Sequence, residues 1–170
     1  AFVLATGARP YRGEDGLTAW DVLAGAVPEG ERVLVADWGG DPSGLDAAEL
    51  LAAARKEVTL IVSSVSVGEL VHQYRRNLYL QRLYRAGVRI LHHHELVDVA
   101  SGEARMRNVF ARELETTIAT DAVVRALGRV PVEVEAPRGA RVERAGDCLS
   151  PRSLEEAVLE GTRAARRAVA

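Results

Sequence analysis

The stretch "VLVADWGGDPSGLDAAELLAAARKEVTLIVSS", residues 33–64, decides the fold. An apolar run from Arg32 to Ala36 leads into a glycine cluster, and apolar residues then recur with helical spacing at Leu45, Ala48, Leu51 and Ala52. A second apolar run, Val58 to Val62, closes the unit. Strand, turn, helix and strand in that order predict a βαβ unit with a right-handed crossover.

A dinucleotide-binding unit of this kind needs one glycine for a tight turn and a second so that backbone can touch the pyrophosphate. It needs a third where helix and strand pack closely. With the first and third set on Gly39 and Gly44, Asp41 takes the middle place. A side chain there obstructs the approach, and its carboxylate repels phosphate at a helix N-terminus that otherwise favours anions. The second strand should end in a carboxylate for the ribose hydroxyls, yet Ser63 and Ser64 stand there. Gly39, Gly40 and Gly44 therefore read as a degenerate NAD(P) loop on a Rossmann-like scaffold. Asp37 can contact a ribose or a cation, or cap the turn; Trp38 and Trp20 read as packing residues, Trp38 also as a filler of nucleotide space.

The rest of the chain sets limits. Its 170 residues suffice for one substantial core or two small lobes, and 48% hydrophobic with 27% charged residues is ordinary for a soluble fold. A formal charge of -2 gives no reason to expect nucleic acid or an anionic membrane surface. The single cysteine, Cys148, excludes an internal disulfide and points to a cytoplasmic setting. No apolar run approaches the roughly 20 residues of a membrane span. Residues 1–8, "AFVLATGA", read as a strand entering a tight turn, which suggests a fragment of something longer.

Further along, "LTAWDVLAG" predicts a short helix N-capped by Thr18. Residues 68–87 predict a long helix with Val71, Tyr74, Leu78, Leu83 and Tyr84 inward, closed by Gly87. The runs "VRIL", "ELVDVA", "ARMRNVF" and "DAVVRAL", with a turn at Ala100-Ser101-Gly102, suggest an antiparallel meander. "GRVPVEVEAPRG" reads as a loop, "RVERAGD" as a last strand and Pro151 to Val169 as a last helix. That helix has two start signals, Ser150 before Pro151 and the capping-box pair Ser153 and Glu156. Leu154, Ala157, Val158, Gly161, Ala164, Ala165 and Ala168 would give it a narrow packing stripe. The expected class is α/β: a Rossmann-like three-layer dinucleotide-binding fold with a parallel sheet and an antiparallel meander.

"ATGA" at 5–8 and "AGDC" at 145–148 are small-residue strand ends at opposite ends of the chain. They resemble flavoproteins in which an NAD-type domain is inserted into an FAD-type domain. The segments "VLATGARP", "DWGGDPSGLDAAELLA", "VTLIVS", "RRNLYLQRLYRAGVRILHHHEL", "DAVVRALGRVP" and "AGDCLSPRSLEEAVLEGTRAAR", in this order, extend the likeness to essentially the whole chain. Together they resemble the C-terminal nucleotide-binding region of the NADH:flavin oxidoreductase and old yellow enzyme-like iron-sulfur flavoproteins. That family includes trimethylamine dehydrogenase, histamine dehydrogenase and 2,4-dienoyl-CoA reductase.

The resemblance implies that residues 1–12 and 129–170 are parts of a discontinuous FAD- or ADP-binding-type domain, with 13–128 an inserted NAD(P)-binding-like domain. Thr6 and Gly7 would lie where the chain leaves the first domain, and Gly146 and Asp147 would match its second flavin motif, with the Asp147 carboxylate accepting from a cofactor hydroxyl. The helix from Pro151 would aim its N-terminus at the same cofactor. FMN and a 4Fe-4S cluster are expected only in upstream domains of the same polypeptide. The implied partners are those domains, an electron-transfer protein and further copies in a homo-oligomer.

Two other readings stay open. One is an intact NAD(P)H domain feeding hydride to FAD in a 2,4-dienoyl-CoA reductase-like enzyme; the other is a lobe with a structural or oligomerisation role and no nucleotide. No residue is assigned to catalysis or to a metal. His92, His93 and His94 alternate in direction if they lie on one strand, so at most His92 and His94 share a face. His72 reads as a helix-surface residue, and Cys148 as a small packed one.

Overall fold

The computed structural model describes residues 1–13 and 16–169. The chain begins with β1 (Phe2–Leu4), β2 (Ala8–Pro10), β3 (Leu17–Thr18), α1 (Ala19–Leu23), β4 (Arg32–Asp37), α2 (Pro42–Ala53) and β5 (Glu57–Val62). It continues through α3 (Gln73–Arg85), β6 (Arg89–His92), β7 (His94–Ala100), β8 (Glu103–Asn108) and β9 (Glu115–Ala119). Last come β10 (Ala122–Ala126), β11 (Arg129–Pro131), β12 (Val142–Arg144) and α4 (Leu154–Val169). Residues 1–11 with 129–170 form one compact unit, and residues 12–128 form another.

The 12–128 unit is built on a five-stranded parallel sheet in the order β3-β10-β4-β5-β6. Its central strand β4 is a continuous apolar run because both faces are covered. Alternate residues point opposite ways. Val33 and Val35 meet Leu45, Ala48, Leu51 and Leu60 on the helical side, while Leu34 and Ala36 meet Ala104 and Met106 of the meander. Helices, parallel sheet and antiparallel sheet make the three layers that the sequence predicts.

The βαβ reading holds, with β4 paired to β5 from Arg32↔Glu57 to Asp37↔Val62. Thr18 does cap α1: its hydroxyl accepts from the Asp21 N–H at 3.2 Å while the Asp21 carboxylate accepts from the Thr18 N–H at 2.8 Å. The Arg12 guanidinium, then Thr18, holds the Asp21 carboxyl down at about 2. The meander's first turn carries Ser101 and Gly102 at φ +53° and +77°, the backbone of a tight two-residue hairpin.

Several local readings need correction. "VRIL" and "DAVVRAL" join the parallel sheet, as β6 at its edge beside β5 and as β10 between β3 and β4. The third meander strand is β9, whose sequence ETTIA sends only Ile118 into the core and so carries little apolar signal. Helix α3 starts at Gln73 rather than residue 68, since residues 68–71 form a turn closed by the Val71 N–H on the Gly68 carbonyl at 2.9 Å. Its buried residues are Tyr79 and Leu83, and Tyr74 is 77% exposed and Leu78 55%. Tyr79 wins the inward place because its ring lies 4.8 Å under the Arg82 guanidinium and its hydroxyl meets Asp46 and Arg75.

In the 1–11/129–170 unit, β1 pairs with β12 in parallel and β2 with β11 antiparallel, although residues 8–10 and 129–131 read as turn and loop in the sequence. Helix α4 begins at Leu154, not Pro151. The Ser153 hydroxyl accepts from the Glu155 N–H at 3.2 Å and the Glu156 carboxylate accepts from the Ser153 N–H at 3.2 Å, so the capping box overrides the Ser-Pro signal. Only Ala164 of the expected stripe is buried; Leu154 is 80% exposed. Among the described residues no helix is long and apolar enough to cross a membrane.

Leu34 is fully buried between two layers. Leu34→Ala should lower the unfolding free energy by about 2–5 kcal/mol, read as a reduced midpoint in urea with an unchanged slope.

Candidate functional site

At the C-terminal edge of the parallel sheet, β10 clamps the glycine loop. The N–H groups of Trp38 and Gly39 both donate to the Ala126 carbonyl, at 3.0 and 2.8 Å. A Cβ on Gly39 would lie 2.7 Å from the Gly128 nitrogen, and one on Gly44 would lie 2.9 Å from Asp37 Cγ. Glycine is thus required at both places by close approach. Gly40 turns the chain at φ +65°, donates its N–H to Asp37 Oδ1 at 2.9 Å and accepts from the Leu70 N–H at 2.9 Å.

Asp41 caps α2. Its Oδ1 accepts from the Ser43 N–H at 2.8 Å and from the Ser43 hydroxyl at 2.5 Å. A carboxylate of the chain therefore sits at the positive N-terminal end of α2. Trp38 is 57% exposed and Trp20 39%, so neither is a core packing residue. Ser64 donates to the Ser66 carbonyl at 2.6 Å and serves its own turn.

Asp37 caps the glycine turn, as one reading of the sequence has it, and is 5% exposed. Its Oδ2 is the one buried side-chain polar atom without a hydrogen-bond partner among the described residues. Burial pushes its carboxyl up to about 7; the Gly40 N–H pulls the other way and the Asp41 charge adds to the rise. The folded value lies above the unfolded one of about 3.9, so Asp37 contributes stability that is complete below that value and is lost as pH rises through about 7. Each unit of separation corresponds to about 1.4 kcal/mol. Asp37→Asn, which keeps an acceptor for Gly40, should flatten the decline in unfolding free energy between about pH 4 and 7; denaturation at several pH values checks it.

In the other unit, β1 and β12 run in parallel, so the stretches 5–8 and 145–148 leave the same end of the sheet, joined where the Ala145 N–H donates to the Leu4 carbonyl at 3.1 Å. Two passes of the chain cross there. Thr6 Oγ1 donates to the Val132 carbonyl at 2.8 Å, and the Val132 N–H donates to the Gly7 carbonyl at 3.0 Å. Gly7 has φ +76° and open space where a Cβ would stand. Gly146 has φ +74° and gives its N–H to Glu160 Oε2 at 2.9 Å. The Asp147 carboxylate accepts from the Arg129 guanidinium and from the Arg152 N–H at 3.3 Å, and Arg129 also donates to the Arg152 carbonyl at 3.0 Å.

Arg129, Arg152 and Glu160 are thus part of this cluster although sequence reasoning passes over them. Arg152 precedes α4 and Glu160 lies in its second turn, and the fold brings the two together. Cys148 is buried and donates its thiol to the Leu4 and Ala145 carbonyls at 3.1 and 3.2 Å, as a small packed residue does.

The histidines divide between elements: His92 ends β6, His94 opens β7 with its Nδ1 2.6 Å from the His92 carbonyl oxygen, and His93 between them has φ +62° and meets the Phe110 ring edge-on at 5.3 Å. Among the described residues no group of His, Cys, Asp and Glu is arranged to hold a metal ion.

The two strand ends differ in what they present. In the glycine loop the Asp41 carboxylate caps α2. At the other end Gly7 has open space where a Cβ would stand, and the Asp147 carboxylate is held by Arg129.

The family described as pyridine nucleotide-disulphide oxidoreductase matches residues 1–151. Among solved structures, the chain is similar to 6-hydroxypseudooxynicotine amine oxidase from Pseudomonas geniculata N1, with 26% identity and a TM-score of 0.82. That match covers 95% of this chain and 28% of the amine oxidase. Histamine dehydrogenase from Rhizobium sp. 4-9, a protein the sequence resemblance names, is 22% identical at a TM-score of 0.78, over 96% of this chain and 30% of that one. T. acidophilum thioredoxin reductase shares the fold at 20% identity and a TM-score of 0.65, over 96% of this chain and 62% of the reductase. Among curated proteins none matches.

Proposed function

Because the chain belongs to the pyridine nucleotide-disulphide oxidoreductase family, we propose that it is the C-terminal nucleotide-binding region of a flavin-dependent oxidoreductase. In this reading the unit of residues 1–11 and 129–170 contributes part of an FAD or ADP site through Thr6, Gly7, Gly146 and Asp147. The glycine loop at Gly39, Gly40 and Gly44 does not take NAD(P).

The observation that carries the reading is the contrast between the two strand ends. The Asp41 carboxylate caps α2 in the glycine loop, whereas Gly7 has open space at its Cα beside the Val132 crossing. Asp147 is held by Arg129, which fixes the direction its carboxylate presents to hydroxyl donors. Bound FAD would supply two-electron redox chemistry; the residues here bind and orient it.

The chain spans 28% of the amine oxidase and 30% of histamine dehydrogenase, and the proposal extends accordingly to a parent. Upstream domains of the same polypeptide hold FMN and a 4Fe-4S cluster, and the 170-residue chain alone carries out no redox turnover. Electrons leave to a protein carrier in a cytoplasmic homo-oligomer. The capped glycine loop favours this arrangement over the reductase reading, in which NADPH supplies hydride.

A thermal-shift titration tests the binding half. ADP or FAD at 100 times its dissociation constant should stabilise the chain by about 2.7 kcal/mol. Asp147→Ala should remove most of that shift, and an equal shift in both proteins would reject the assignment of Asp147.

A further inference from the structure

The cluster beside Gly146 contains more charge than a hydroxyl-binding carboxylate requires. Glu160 lies on α4, one turn before the buried Ala164, and both its carboxylate oxygens are engaged. Oε2 accepts from the Gly146 N–H at 2.9 Å, and Oε1 accepts from the Arg152 guanidinium. The Glu160 side chain is 15% exposed. Next to it, Asp147 holds Arg129 and the Arg152 N–H, and Glu156 closes the start of α4 on Ser153. In this cluster Asp147 is hydrogen-bonded to Arg129, Glu160 to Arg152 and Glu156 to Ser153. The backbone N–H and the guanidinium that a phosphate would seek are both taken by Glu160.

Resting on the nucleotide-site reading above, we propose that Glu160 sets how this end of the unit receives the phosphates of a nucleoside diphosphate. Its carboxylate stands in the place of a phosphate oxygen between Gly146 and Arg152, and a phosphate reaches those two donors only by displacing it. Glu160 is a specificity-determining residue in this scheme: it penalises anionic ligands and leaves uncharged ones unaffected. Two charge-assisted hydrogen bonds, one of them also an ion pair, must be exchanged for two of the same kind. The penalty left is the repulsion between the displaced carboxylate and the incoming anion.

The test is calorimetric titration of the 170-residue chain with ADP and, separately, with adenosine. It compares the unaltered protein, Glu160→Gln and the double variant Glu160→Gln/Arg152→Gln. Glutamine keeps an acceptor for the Gly146 N–H and so preserves the turn, and equal melting temperatures without ligand would verify that. Glu160→Gln should bind ADP about tenfold more tightly while adenosine affinity stays the same, and the double variant should lose the gain.

An unchanged ADP affinity in Glu160→Gln, or an equal gain for adenosine, would show Glu160 to be a turn cap only and overturn the inference, with the nucleotide-site reading intact. Absence of ADP binding in both the unaltered chain and Glu160→Gln would sink the inference together with that reading.

Discussion

The constraint on which the 12–128 unit depends is the closeness of α2 to the sheet beneath it. At Gly44 the helix passes so near Asp37 and Ala126 that a Cβ would lie 2.9 to 3.1 Å from them, and at Gly39 the loop passes equally near Gly128. That approach buries Leu45, Ala48 and Leu51 against β4 and β5 and brings the start of α2 over the C-terminal ends of the strands, where ligands of open parallel sheets are met. It also strands one oxygen of Asp37 without a partner. The glycines at 39 and 44 are thus required by packing.

What occupies such a site follows from local electrostatics. A helix N-terminus with free N–H groups attracts an anion, and a side-chain carboxylate meets that demand as well as a phosphate does. Asp41 meets it on α2, and Glu156 with Ser153 meets it on α4. Glu160 does the same for the Gly146 N–H at the end of β12. The chain thus meets these particular donors with its own carboxylates.

The βαβ core was legible because its signals are local: periodicity in β4, α2 and β5, and glycines whose spacing reports close packing. Asp41, which the sequence places at the middle position of the glycine loop, caps α2 by a contact just as local, with Ser43 two residues on. The β2/β11 ribbon was not legible, because each strand has three residues and includes or abuts a proline, and its partner is over a hundred positions away. The inward face of α3 was hidden by apolar and aromatic residues on every side, and only Arg82, Asp46 and Arg75 around Tyr79 decide it. Arg129 on Asp147 and Glu160 on Gly146 are tertiary contacts between residues 18 and 14 apart, with no motif to announce them.

The most direct test of the account is a calorimetric titration of NADH and NADPH into the unaltered chain and into Asp41→Gly, each checked for folding by its thermal transition. The account predicts no heat of binding with the unaltered chain and measurable affinity once the carboxylate is removed from the start of α2. Tight binding of either nucleotide to the unaltered chain would contradict it and establish the glycine loop as a working hydride-donor site.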